Sequence, residues 1–265
     1  MTTPLPFASI RLDGQVAIVT GGTRGIGAVI AQTLLAAGCE VAVCGRTAPA
    51  SLPAAEGRQA RFWPCDVRKH EEVAAFVDAV GQAFGRVDIL VNNAGGSPPV
   101  DAASASPRFH EAILALNLTA PVHMSQAAGR WMRRNGSVGS IVNIASVSAV
   151  RPSPGTAVYG AAKAGLLGLT RSLAAEWGPQ IRVNAIVVGL VDTEGPDLPY
   201  GTDAARDAIA QSLPAKRMGH PRDIAMGVLY LVSPMAAYVS GATLDIHGGG
   251  ERPIFLDLVE RHAQG

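Results

Sequence analysis

Aromatic residues are scarce in this chain of 265 residues, at 5%, and charged residues are few, at 16%. The charges that are present nearly cancel, leaving a net +1. There is no basic stripe for a nucleic-acid backbone and no acidic tail, so electrostatic capture of a macromolecule is excluded and a small molecule is the expected partner. Cysteine is sparse as well. The three present, Cys39, Cys44 and Cys65, form no C-x-x-C pair, and any single disulfide leaves one thiol over. A reducing compartment is therefore expected, with the thiols as small core residues and no metal ligand set assigned to them. No apolar run reaches the roughly 18 residues that span a bilayer, and the stretch from Met1 to Gln15 lacks the apolar core of a secretory leader. The expectation is a cytosolic protein with no membrane contact. Internal repeats and low-complexity tracts are absent too, which removes solenoids and flexible arrays.

Aliphatic side chains and glycine are plentiful instead, with 48% hydrophobic residues and 30 glycines. A chain of this length can bury the core of one large α/β domain, and residues 1–265 are read as a single domain. Strand-length apolar runs recur between helical stretches: Val16 to Thr20, Glu40 to Gly45, Arg61 to Asp66, Ile89 to Asn92, Ser140 to Ile144, Arg182 to Val188 and Thr243 to Ile246. Most are unbroken rather than alternating, the pattern of strands buried on both faces. They predict an α/β fold in which a doubly wound, seven-stranded parallel sheet carries helices on both faces. A Pro- and Gly-rich stretch from Gly189 to Thr202 is followed by a helical pattern, Asp203 to Ser212, and then by Leu213 to Pro221. So long an excursion after a strand predicts a lid over the substrate, spanning residues 193–221.

The first strand runs straight into Thr20-Gly21-Gly22-Thr23-Arg24-Gly25-Ile26-Gly27, and Ala28 to Ala37 then reads as a helix. Glycine here allows a tight turn, lets backbone approach a diphosphate, and seats the helix close to the strand with its N–H groups facing the anion. Gly21, Thr23, Arg24, Gly25, Ile26 and Gly27 are the candidate cofactor-binding residues of this turn. A dinucleotide site usually places a carboxylate at the end of the second strand to hold the ribose 2′-hydroxyl. Gly45-Arg46-Thr47 occupies that place. A carboxylate repels a 2′-phosphate, whereas Arg46 presents a planar donor fork to it, with Arg24 as a second cation. NADP(H) is thus expected over NAD(H).

Farther on, Tyr159-Gly160-Ala161-Ala162-Lys163 opens a stretch with helical spacing. Residues four apart share a helix face, so the Lys163 ammonium is expected to favour the Tyr159 phenolate by Coulomb attraction. At the end of the strand Ser140 to Ile144 comes Ser146, on the carboxyl edge where ligands bind in such sheets, able to hydrogen-bond a substrate oxygen. Ser148 competes for the same role.

With these motifs assembled, Thr20 to Gly27, Asn92-Asn93-Ala94-Gly95, Asn117, Ser146 and Tyr159 to Lys163 resemble, in order and spacing, the classical short-chain dehydrogenases/reductases, from about Leu12 to Gly249. The resemblance implies a Rossmann-type sheet and a set of roles. Tyr159 is the catalytic acid/base. Lys163 lowers its pKa and holds the nicotinamide ribose, Ser146 orients the carbonyl, and Asn117 keeps a proton-relay water. Asp66 and Val67 contact adenine, Asn93 and Gly95 lie along the cofactor, and Val191 and Thr193 meet the nicotinamide carboxamide. Lys216 to Ala225 and Ser240 to Thr243 also look like family sequence, as scaffold and subunit-packing elements. Two features depart from the pattern. Val188-Gly189 stands where the family usually has Pro-Gly, and a tail from Gly250 to Gly265 continues past the point where many members stop. Apolar Ile254, Phe255, Leu256, Leu258 and Val259 in that tail are expected to pack on the chain's own body or on a neighbouring subunit. Homotetramers are the assembly the resemblance implies, dimers second.

The expected activity is hydride exchange between NADP(H) and a carbonyl or secondary alcohol. An apolar lid with Leu198, Pro199, Tyr200 and Met218, and small residues from Ser97 to Pro99, suit a fairly hydrophobic ketone or a 3-oxoacyl thioester. The alternatives are an NAD(H)-linked secondary-alcohol or steroid dehydrogenase and, more remotely, a nucleotide-sensing protein without turnover.

Overall fold

The computed structural model describes residues 10–134, 136, 138–193 and 200–263. Its strands are β1 (Val16–Thr20), β2 (Glu40–Gly45), a two-residue hairpin pair β3 (Ala54–Ala55) and β4 (Arg58–Gln59), β5 (Arg61–Pro64), β6 (Ile89–Asn92), β7 (Gly139–Ile144), β8 (Ile181–Val188) and β9 (Thr243–Ile246). Seven of them form one sheet in the order β5-β2-β1-β6-β7-β8-β9, and every neighbouring pair is parallel. The helices are α1 (Gly25–Ala36), α2 (His70–Phe84), α3 (Pro107–Leu114), α4 (Ala120–Met132), α5 (Ala157–Trp177), α6 (Asp203–Ser212), α7 (Pro221–Val232) and α8 (Ile254–Ala263).

Both faces of the sheet are covered, which is why the strands read as continuous apolar runs. In β1, Ala17 and Val19 pack with Ile30 and Leu34 of α1 and with Ile224 and Val228 of α7. Val16 and Ile18, facing the other way, pack with Val73 and Phe76 of α2 and Met124 of α4, and Trp177 at the end of α5 joins this second layer. All three cysteines are buried. The predicted seven strands are all present, with small shifts at their ends. β5 stops at Pro64 rather than Asp66, with the Cys65 N–H making the last bond to the Gly45 carbonyl at 3.0 Å. α1 begins at Gly25, ahead of the expected Ala28. The hairpin β3–β4 went unpredicted, since two residues per strand are too few to show a period. Among the described residues no helix is long and apolar enough to cross a membrane.

Of the two packings expected for the tail, the first is not made by most of its apolar residues. The tail forms α8, yet Ile254, Phe255, Leu258 and Val259 are exposed. Packing on the chain's own body is therefore not what these four do within one copy.

Polar side chains cross the core in one line. Asn92 Nδ2 donates to Ser125 Oγ (3.2 Å) and Asn143 Oδ1 (2.8 Å), Asn143 Nδ2 donates to Thr170 Oγ1 (2.9 Å), and Thr170 donates to the Leu166 carbonyl (2.8 Å). All four of these side chains are buried. The chain joins β6 and β7 to α4 and α5, so it locks the two central strands to the helix that carries Tyr159. Replacing Asn143 by Leu keeps its branching at Cγ but leaves partners on both sides unsatisfied, at about 1–3 kcal/mol each. A urea-unfolding midpoint lowered accordingly is the expected outcome; an unchanged midpoint argues against this role.

Candidate active site

The glycine turn between β1 and α1 is built from contacts that exclude side chains. Gly25 has φ +53°, in the left-handed region. A Cβ on Gly27 would stand 2.4 Å from both Asn93 Nδ2 and the Gly21 carbonyl oxygen. Arg24 occupies the N-cap of α1 in extended conformation without a side-chain capping bond, so no side chain of the N-cap covers the first N–H groups of the helix. The Asn93 amide donates to the Thr20 (2.9 Å) and Gly21 (3.3 Å) carbonyls, and the Asn93 and Ala94 N–H groups both donate to Thr20 Oγ1 at 2.9 Å. Asn93 thus braces the turn with its side chain. That is a supporting position, where sequence reasoning had only a cofactor contact.

Beside the turn, Gly45 at the end of β2 faces Thr23 Oγ1 and the Thr47 carbonyl, each 3.8 Å from where its Cβ would be. Arg24 and Arg46 are exposed. Among the described residues neither is in a salt bridge. Asp66 is gripped by the Arg68 guanidinium, with Nη2 to Oδ2 at 2.5 Å and Nε to Oδ1 at 2.9 Å. That hydrogen bonding holds the Asp66 carboxyl down to about 2, and Arg46 adds a small push in the same direction. Val67 next to it is buried.

The opposite end of the site gathers residues from four elements. Ser146 follows β7 and caps the short 3-10 turn Val147–Ala149, its Oγ accepting from the Ser148 N–H at 3.2 Å. It is also close enough to the Tyr159 phenol to favour its ionised form. Lys163 lies one turn along α5 from Tyr159, with Nζ 5.7 Å from the tyrosine ring centroid. It is only 3% exposed and donates to the Ile144 carbonyl at 2.7 Å. Asn117 is wholly buried in the π-helical turn Ala115–Thr119 between α3 and α4. Its amide donates to the Gly96 (2.9 Å) and Ile113 (3.0 Å) carbonyls while Oδ1 accepts from the Gly96 N–H at 2.9 Å. Gly95 fills the gap between these groups: a Cβ there would lie 2.7 Å from Asn117 Oδ1 and 3.1 Å from Lys163 Nζ.

The electrostatics correct one expectation. Burial pushes the Tyr159 phenol above its ordinary value, and the nearby Ser146 hydroxyl only partly opposes it. Lys163 does not produce the expected lowering. Its own charge is desolvated, which pushes it down to about 8, and its ammonium is committed to a backbone carbonyl. Among the protein's own groups, loss of water outweighs the attraction that helical spacing suggested.

Ser148 is separated from Ser146 by its partners. Ser153 Oγ donates to Ser148 Oγ at 3.0 Å and lies 2.6 Å from Thr156 Oγ1. Ser148 therefore belongs to a hydroxyl chain that ties the turn to the start of α5. Val188 remains within β8, opposite Ile246, and Gly189 N–H donates to the Ile246 carbonyl at 3.0 Å. Val191 is buried and bridges Gly219, and Thr193 follows, half-buried. Of the expected lid, Leu198 and Pro199 lie outside the described residues. Tyr200 is half-buried, and burial raises its phenol, with smaller contributions from Tyr159, Glu251 and Asp192.

A family model described as enoyl-(acyl carrier protein) reductase matches residues 21–251. The chain is 39% identical over 249 residues to the D-threitol dehydrogenase of Mycolicibacterium smegmatis, covering 90% of this chain and 94% of that one. It is 35% identical over 244 residues to the 3-oxoacyl-(acyl-carrier-protein) reductase of Vibrio cholerae serotype O1, covering 91% and 98%. Among solved structures, a 7α-hydroxysteroid dehydrogenase complexed with NADH and 7-oxo glycochenodeoxycholic acid superposes with a TM-score of 0.84 at 35% identity, covering 92% and 97%.

Gly95→Ala tests the arrangement directly. Its methyl has to displace Asn117 or Lys163, and displacement near 1 Å in a reacting site costs about 10²-fold in rate. Turnover reduced to that extent is the expected result; wild-type turnover contradicts the packing described.

Proposed function

The chain belongs to the classical short-chain dehydrogenase/reductase family, and from that membership we propose that it moves a hydride between NADP(H) and a fairly hydrophobic carbonyl compound or the corresponding secondary alcohol. As a member it is an oxidoreductase acting on CH–OH donors, with a small-molecule substrate and NAD(H) or NADP(H) as cofactor. Cofactor preference, substrate and residue roles are the proposal.

The residues fit a dinucleotide. The glycine turn leaves no room for a Cβ at Gly27, and α1 starts without a side-chain cap, so backbone N–H groups are left for a diphosphate. Gly21, Thr23, Arg24, Gly25, Ile26 and Gly27 line that end. Arg46 and Thr47 take the 2′-phosphate together with Arg24, Asp66 and Val67 meet the adenine, Asn93 and Gly95 flank the path, and Val191 with Thr193 holds the carboxamide. When bound, the nicotinamide supplies or accepts the hydride.

The observation that carries the reading is the convergence of the Ser146 hydroxyl, the Tyr159 phenol and the buried Lys163 ammonium, with Lys163 Nζ 5.7 Å from the tyrosine ring centroid and fixed by the carbonyl of Ile144 at the end of the strand that leads to Ser146. Ser146 Oγ orients the carbonyl oxygen. Tyr159 Oη gives that oxygen its proton, or takes it back in the reverse direction. Lys163 holds the ribose, and Asn117 keeps the relay water beside it. Residues 193–221 form the lid, with Tyr200 and Met218 toward an apolar substrate. A 3-oxoacyl thioester or a ring ketone suits this mouth, and the 3-oxoacyl reductase among the relatives supports the first. One observation favours a second reading, an NAD(H)-linked secondary-alcohol dehydrogenase: the structural neighbour that carries NADH and a 7-oxo steroid. A homotetramer in the cytosol is proposed as the working form, and a monomer in light scattering would refute the assembly.

Three measurements check the proposal. Tyr159→Phe abolishes turnover but leaves cofactor binding measurable; near-normal rates in that variant overturn the assignment. Arg46→Ala raises KM for NADPH by about tenfold, the size of one lost charge-assisted contact, and leaves NADH unaffected; equal use of both cofactors by the unaltered protein removes the preference. For pH, a raised Tyr159 value keeps the proton donor loaded through neutrality, while the phenolate that alcohol oxidation needs accumulates only as pH rises. Lys163 keeps its charge below about 8 and loses it above. Carbonyl reduction is therefore expected to decline above that pH while oxidation gains relative to it; parallel profiles in the two directions contradict this assignment.

A further inference from the structure

After β9 the chain turns back through three consecutive glycines in left-handed conformation, Gly248 (φ +65°), Gly249 (φ +96°) and Gly250 (φ +81°). Only glycine adopts three such angles in a row without strain. The turn delivers Glu251 to Arg151. Their side chains form a two-pronged ion pair, Nε to Oε2 and Nη2 to Oε1, each at 2.5 Å. The pair spans 100 residues of sequence, and its side chains are 37% and 33% exposed. Bidentate geometry in a partly dried setting makes this pair stronger than an ordinary surface contact.

Arg151 sits at a sensitive place. Its N–H donates to the Val147 carbonyl at 3.1 Å, closing the turn that Ser146 caps. The same stretch leads through the hydroxyls of Ser148, Ser153 and Thr156 into the first turn of α5 and Tyr159. Tyr200 feels the charges of both Tyr159 and Glu251. One carboxylate therefore ties the segment after β9 to the stretch linking Ser146 to Tyr159.

We propose that Arg151 and Glu251 are positioning residues, a latch by which the segment after β9 holds the turn between Ser146 and Tyr159 and sets how tightly substrate, rather than cofactor, is bound. The substrate arm of this proposal rests on the hydride-transfer reading above; the structural arm does not. Neither side chain touches the reacting atoms, so the effect passes through Val147 and the hydroxyl chain.

The test compares Glu251→Arg, Arg151→Glu, the double exchange and the conservative Glu251→Asp in the full chain. Hydrogen–deuterium exchange across residues 147–156 and 248–256 is expected to rise in each single reversal, to return to the unaltered level in the double exchange, and to change least in Glu251→Asp. Substrate KM is expected to rise about fivefold in the single reversals, as for loss of one well-made ion pair. Cofactor KM and kcat stay unchanged, and the double exchange recovers the loss. Unchanged exchange at 147–156 in both reversals, or a double exchange that recovers nothing, overturns the latch. If no carbonyl in a broad panel is reduced while the exchange pattern holds, the latch stands and the hydride-transfer reading falls.

Discussion

Holding the Lys163 ammonium out of water costs several kcal/mol, and much of the architecture around β7 and α5 serves to offset that cost at one fixed point. The Ile144 carbonyl at the end of β7 accepts from it. Gly95 keeps clear by having no side chain, and Asn117 spends its amide on the neighbouring backbone. An ammonium so placed cannot drift, and the phenol one turn away is held against Ser146. The same dryness that fixes the geometry also raises Tyr159. Positioning and proton affinity thus come from one cause, and they pull the phenolate population in opposite directions.

Sheet topology explains why these groups meet at all. With strand order β5-β2-β1-β6-β7-β8-β9, the chain reverses its direction of travel across the sheet between β1 and β6, and a crevice opens there at the carboxyl edge. Most candidate cofactor or substrate groups leave the sheet on that edge: the glycine turn after β1, Arg46 after β2, Asp66 after β5, Asn93 and Gly95 after β6, Ser146 after β7 and Val191 after β8. The buried line from Asn92 through Asn143 to Thr170 holds β6 and β7 in register with α5. The two ends of the site therefore cannot slide apart without breaking hydrogen bonds in the core. The ion pair of Arg151 with Glu251 extends this bracing to the rim, where solvent otherwise loosens loops.

The amino-acid sequence alone determined the sheet and pointed to the main candidate residues of the site, for physical reasons that are local. A strand buried on both faces has to be continuously apolar, so all seven strands were legible to within a residue or two. A glycine turn between strand and helix, and a tyrosine and lysine one turn apart, are statements about neighbours in the chain. What only the tertiary structure decided involves groups far apart in sequence, or solvent. The spacer role of Gly95 depends on Asn117 and Lys163 approaching from two other elements. Asn93 braces the turn it was expected merely to accompany, and Ser148 falls to the hydroxyl chain because Ser153 and Thr156 fold back onto it. The direction of the Tyr159 shift depends on how much water is excluded, and no residue spacing encodes that. The same holds for Glu251: its partner is a hundred positions away, and only the folded sheet brings the two charges to one rim.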